Sequence, residues 1–205
     1  TPKVMGVLNL TPDSFFDGGK FLRKDNSFDE SKIINSIESM IEDGADFIDI
    51  GAQSTKPGFT KISPSEELDR LGLVFDKLND YPVLFSIDTF NYEVIKEAIN
   101  KKIDLINNVF SFSDQESFKL VCRNDIPICV CHQGNPDNKE DIFSQINLFF
   151  SDVEEKFEKE KFNTDNIIFD PGFGYGKTPF QNLKILSNLE TVSYTHLTLP
   201  TMELV

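Results

Sequence analysis

VLFSIDTFNYEVIKEAINKKIDLIN, residues 83–107, contains one complete strand–helix–strand unit. Val83 to Ile87 is apolar or small and stops at Asp88. Asn91 is a helix-capping type, and Val94, Ile95, Ala98 and Ile99 follow at helical spacing. A second, mostly apolar run, Ile103 to Ile106 with Asp104 its one charged residue, stops at Asn107. Neither run alternates polar with apolar. Near-continuous apolar strands are those of a parallel sheet covered on both faces.

The same unit repeats on either side of this stretch. Strands are predicted at 3–9, 46–51, 83–88, 103–107, 126–131 and 166–170. Between them, Ile33, Ile37, Met40 and Ile41 form a stripe that ends at Gly44. Ser63 to Glu66 reads as a capping box with Pro64 at the first helical position, ahead of Leu68, Leu71, Phe75 and Leu78. Ser113 to Glu116 reads as another capping box. Ile142, Ile146, Phe149, Val153 and Phe157 mark a longer helix, and Phe180 to Leu189 a last one.

Successive βα units make either a doubly wound sheet or a (β/α)₈ barrel. A doubly wound sheet concentrates its chemistry at one switch point, whereas a barrel collects it from all its strand ends. Here the strands end in Asn9, the Gly51–Gly58 segment, Asp88, Asn107, His132 and Asp170. That distribution favours an α/β fold of the TIM-barrel type, incomplete, with six of its eight units present. Residues 1–190 are expected to form this one partial barrel domain, and 191–205 to be a non-native tail.

Composition narrows the function. The chain of 205 residues carries 34 acidic and 20 basic side chains, a net charge of −14. Nucleic acid is excluded as a partner, since phosphate contacts need clustered Lys and Arg. No apolar run approaches the ~20 residues that span a membrane. The opening TPKVMGVLNL has no secretory pattern, and Cys122, Cys129 and Cys131 have no metal-ligand spacing. A reducing cytoplasm is the expected setting.

The strand ends offer one coherent chemistry. Asp88, Asn107 and Asp170 suit a flat ligand with several N–H donors, such as a 2-aminopyrimidinone edge. The segment after strand one, Thr11 to Gly19, has the length of a flap over a site and carries Phe15 and Phe16. Lys56 could meet an anion. The GKT of Gly176-Lys177-Thr178 resembles a phosphate loop but fails it, because three residues separate Gly172 from Gly176 where four are needed. His132 is expected to be structural, and Cys129 and Cys131 to pack on one strand face.

GVLNLTPDSFFDGG, DIGAQSTKPG, SIDT, INNV, HQGNP and DPGFGYGKT, in this order, resemble the dihydropteroate synthase family from residue 4 to about 190. The resemblance implies condensation of 6-hydroxymethyl-7,8-dihydropterin pyrophosphate with 4-aminobenzoate. It implies Asn9 as a Mg²⁺ ligand, and Asp88, Asn107 and Asp170 as pterin contacts. Thr55 would contact pyrophosphate, and Thr55, Lys56, Pro57 and Tyr175 would frame 4-aminobenzoate. Asp13, Thr55 and Lys56 would be the catalytic set, and the full-length form a homodimer. Against the family pattern, Lys56 replaces Arg, Ala52-Gln53 replaces Gly-Glu and Asn108 replaces Asp.

Two other readings compete. A pterin-barrel methyltransferase shares the Asp and Asn positions but does not need the TPDSF and STKPG segments. A non-catalytic pterin-binding paralogue is the other. The family's Ser-Arg-Lys and Arg-x-His segments after strands seven and eight are missing from this sequence, so the chain as given is expected to be inactive.

Overall fold

In a computed structural model the described residues are 2–11, 21–25, 27–54, 60–135, 137 and 140–190. They form two compact units, 2–107 and 108–190. Strand and helix alternate throughout both, giving six βα units among the described residues.

The first unit holds β1 (Met5–Asn9), α1 (Glu30–Glu42), β2 (Phe47–Gly51), α2 (Pro64–Phe75), β3 (Leu84–Asp88), α3 (Tyr92–Asn100) and the start of β4 (Leu105–Asn108). Each strand pairs in parallel with the next in sequence. One face of these strands carries Leu8, Ile48, Ile50, Phe85, Ile87 and Ile106, all nearly fully buried. Ile33 and Ile37 of α1, Leu71 and Val74 of α2 and Val94, Ile95 and Ala98 of α3 are the buried helix residues of the same unit. The opposite face carries Val7, Asp49, Ser86 and Leu105, and Val7 is 51% exposed.

The second unit holds α4 (Gln115–Asn124), β5 (Ile128–Cys131), α5 (Ile142–Lys159), β6 (Ile167–Asp170) and α6 (Pro179–Leu186). β5 and β6 pair in parallel. Phe112, Phe118 and Phe162 surround Phe157 at ring separations of 6.1, 4.8 and 5.0 Å. Ile142, Ile146, Phe150 and Ile185 form a second cluster, joined by Phe149, Phe169 and Phe173.

The predicted strands appear with their C-terminal ends in place, except that β4 runs one residue further, to Asn108. Three helix starts differ from the sequence reading. Ser63 accepts from Glu66 N–H, but the Glu66 carboxylate turns to Arg70 at 2.7 Å rather than closing a box. The fourth helix is capped by Asp114, not Ser113, because a carboxylate there accepts from both Glu116 and Ser117 N–H. Asn91 occupies the cap position of α3 but makes no capping hydrogen bond. A full capping box does occur at Thr178 and Gln181, where none was expected.

Candidate active site

The register of the first unit puts four strand-end residues in one row: Asn9 opposite Gly51, Gly51 opposite Asp88, and Asp88 opposite Asn107. Parallel pairing points residues of one row to the same face. Gly51 has a steric reason to be glycine. A Cβ there would sit 3.2 Å from Asn9 Oδ1 and 3.6 Å from Asp88 Oδ2. Any side chain would press into the space that these two groups share.

Behind the row lies Asp49, two residues before Gly51 and therefore on the same face of β2. Asn107 Nδ2 donates to Asp49 Oδ2 at 3.0 Å. Asp49 Oδ1 and Asp88 Oδ1 are both shut away from water without a hydrogen-bond partner. Burial raises the pKa of Asp49, with the Ser86 hydroxyl and Asn107 amide pulling the other way. Burial raises Asp88 well above the usual carboxylate range, and the charges of Asp49 and Glu67 add to it. Unmatched buried acceptors are costly, so the arrangement is suited to a ligand that brings donors.

The second unit treats its strand-end residues differently. Asp170 Oδ1 accepts from Gly172 N–H at 2.8 Å. Lys177 Nζ donates to the carbonyls of Gly172, His132 and Tyr175 at 2.7, 2.9 and 3.2 Å. Burial lowers the Lys177 pKa to about 8. Gly172 has φ +73°, and a Cβ on it would come within 2.1 Å of the His132 carbonyl. Lys177 thus fastens the loop after β6 to the end of β5, and Thr178 starts α6, so the GKT tripeptide is a structural clasp. His132 is buried against the Phe149 ring at 5.3 Å. Burial, helped by the Lys177 charge, lowers its pKa to about 4, so it is neutral near pH 7. Tyr175 is half-buried, and its backbone carbonyl also accepts from Gly134 N–H at 2.9 Å. Cys131 is buried, and Cys122 and Cys129 are partly so.

Of the residues predicted from sequence, Asn9, Asp88 and Asn107 are brought together in the first unit, Asp170 ends β6, and Tyr175 stands in the loop after it. Asp13, Thr55, Lys56 and Pro57, and the Thr11–Gly19 flap beyond Thr11, lie outside the described residues. The substituted Gln53 bridges the ends of the segment that holds three of them. Its Nε2 donates to the carbonyls of Ser54 and Thr60 at 3.1 and 3.3 Å, and its Oε1 accepts from Ile62 N–H at 2.9 Å. A carboxylate could not donate to those carbonyls. Asn108, another of the substitutions, accepts from Phe110 and Phe112 N–H and shapes the turn after β4. Sequence reading missed Asp49, although its parity with Gly51 could have found it, and it missed Glu67.

Comparison with known proteins identifies the family and the fold. The pterin binding enzyme family matches residues 5–202. The dihydropteroate synthase of Clostridium beijerinckii is 36% identical over 92% of this chain and 69% of its own length. That of Escherichia coli is 34% identical over 97% of this chain and 71% of its own. Among solved structures, the Yersinia pestis dihydropteroate synthase in complex with a sulfonamide drug has a TM-score of 0.85 and 31% identity, covering 95% of this chain and 71% of that one. The Xanthomonas albilineans enzyme with 4-aminobenzoic acid has a TM-score of 0.81 and 29% identity, covering 93% of this chain and 68% of that one. The fold is therefore that of the dihydropteroate synthase (β/α) barrel with six of its units present, and the chain belongs to the dihydropteroate synthase family.

Proposed function

We propose that the row Asn9–Gly51–Asp88–Asn107 is the pterin end of a site that joins 6-hydroxymethyl-7,8-dihydropterin pyrophosphate to 4-aminobenzoate. The observation that carries this reading is the pair of buried, unmatched carboxylate oxygens, Asp49 Oδ1 and Asp88 Oδ1. A pterin edge presents ring and amino N–H groups that match such acceptors. Asp170 joins them by family resemblance, with one oxygen given to its own loop.

In the reaction, the aromatic amine attacks the methylene carbon next to the pterin ring. The bond to the pyrophosphate oxygen breaks, the new C–N bond forms, and the amine loses a proton. An arylamine is already a fair nucleophile, so holding the two substrates in line is the main task of the protein. Thr55, Lys56, Pro57 and Tyr175 are assigned to 4-aminobenzoate, Thr55 also to pyrophosphate, and Asp13 to the closing flap.

Mg²⁺ is compatible with the residues at the row. Asn9 Oδ1 is a hard oxygen donor on the row, 3.2 Å from where a Cβ on Gly51 would sit. Among the described residues no group of three or more His, Cys, Asp or Glu could hold an ion by itself. Magnesium commonly takes one or two protein oxygens and completes its shell with substrate phosphates and water. Asn9 would hold it, and the ion would supply charge neutralisation for the leaving pyrophosphate.

Among the described residues no helix is long and apolar enough to cross a membrane. The reading places the enzyme in the cytoplasm, its full-length form a homodimer, with no role for nucleic acid. The test is pyrophosphate release when the full-length protein receives both substrates. A methyltransferase or a non-catalytic pterin binder would release none, and that result would sink the reading.

A further inference from the structure

Asn91 stands at the N-cap of α3, yet its side chain leaves the helix's first N–H groups unserved. A capping asparagine there contributes ~1 kcal/mol. Its Nδ2 is instead turned away to donate to Glu67 Oε2. Glu67 lies in the first turn of α2, is fully buried, and keeps its Oε1 without a hydrogen-bond partner. The Thr89 hydroxyl faces the same carboxylate, as do the charges of Arg70 and Lys61. Thr89 Oγ1 accepts from Asn91 N–H at 3.2 Å, and Thr89 N–H donates to the Asn107 carbonyl at 3.0 Å. Arg70 ties the same helix to the segment after β2 through the Ala52 carbonyl at 2.9 Å.

This path runs from one buried acid on α2 to the residue after Asp88 and on to Asn107. Packing alone does not call for it. A buried carboxylate is costly, and an apolar side chain of similar size fills such a position at least as well. Neither Glu67 nor Asn91 belongs to the row at the strand ends.

We propose that Glu67 is a positioning residue for pterin binding: by holding Asn91 and Thr89, it fixes the turn that sets Asp88 beside Asn107. The inference rests on the reading that Asp88 meets the pterin. A turn freed from Glu67 would still fold, with Asn91 returning to its cap, but Asp88 would no longer be held in one place.

The test uses the full-length enzyme and the variants Glu67→Ala, Glu67→Gln, Asn91→Ala and the double variant E67A/N91A. Glu67→Ala is expected to raise KM for dihydropterin pyrophosphate about tenfold, with kcat and KM for 4-aminobenzoate little changed. Glu67→Gln keeps an acceptor for Asn91 and should lose much less. Because both residues act through one contact, the double variant should be no worse than the worse single one. A purely structural role would lower Tm and leave the pterin KM of the folded enzyme unchanged, and that outcome overturns the proposal. So do additive effects of E67A and N91A. If Glu67→Ala fails to fold, Glu67→Gln compared with Asn91→Ala decides by the same KM split. Should the unmodified enzyme release no pyrophosphate, the functional reading has failed by itself. Amide exchange at Thr89 then decides this inference: faster exchange in Glu67→Ala, or in Asn91→Ala should that variant not fold, supports it, and equal exchange overturns it.

Discussion

In the first unit Asp88, at a strand end, and Asp49, behind the row, each keep one buried oxygen outside hydrogen-bond geometry with the rest of the described residues. In the second unit most of the corresponding groups are tied to their own loops: Asp170 gives one oxygen to Gly172, Lys177 meets three carbonyls and Asn108 shapes the turn that follows it, while His132 Nδ1 stays buried without a hydrogen-bond partner. The same residue types therefore do opposite jobs. Satisfied polar groups rigidify a loop, whereas unsatisfied buried ones hold free energy in reserve for a partner. This contrast is the reason the first row is proposed as the ligand-binding end.

The largest effect concerns both units together. The described residues supply six βα units of the eight in a closed barrel. Dihydropteroate formation by the 205-residue chain alone is expected to be undetectable, and it should appear in a version extended with the last two units of a close relative. Equal turnover by both would show that the two units described here already contain the whole reaction.

The next effect falls on the second unit. Lys177→Met removes a charged donor from three carbonyls and should cost ~1–3 kcal/mol of stability. If Lys177 is a clasp, the loss appears in Tm or denaturant midpoint with only a modest change in pterin affinity. Abolished pterin binding with unchanged stability would move Lys177 from scaffold to site.

A smaller effect of opposite sign is expected in the first unit. The folded pKa of Asp88 is raised, so its protonated form is favoured at low pH, and that advantage is lost as pH rises through the folded value. At neutral pH the buried carboxyl is a burden on the ligand-free fold. Asp88→Asn should therefore raise the stability of the ligand-free protein at pH 7 by on the order of 1 kcal/mol, while weakening pterin binding. A loss of stability would mean that Asp88 has a structural partner.

Much of the fold was legible in the sequence because apolar runs that stop at one polar residue also fix where each strand ends, as at Asn9, Asp88 and Asp170. Part of the site was legible for the same reason. What escaped involved partners distant in sequence or choices between neighbours. Asn91 looks like a cap until Glu67, on another helix, competes for its amide. Ser113 and Asp114 are both good caps, and only backbone geometry selects the carboxylate. Lys177 sits in a phosphate-loop-like string and turns inward because φ-positive glycines bring carbonyls around it.

The most direct test of the claim that the first row binds the pterin is calorimetric titration of the full-length protein with dihydropterin pyrophosphate, comparing wild type with Asp88→Ala. Loss of a buried acceptor facing ligand N–H groups should weaken binding by roughly 1–3 kcal/mol or more, about tenfold to a hundredfold. Unchanged affinity in Asp88→Ala would contradict it.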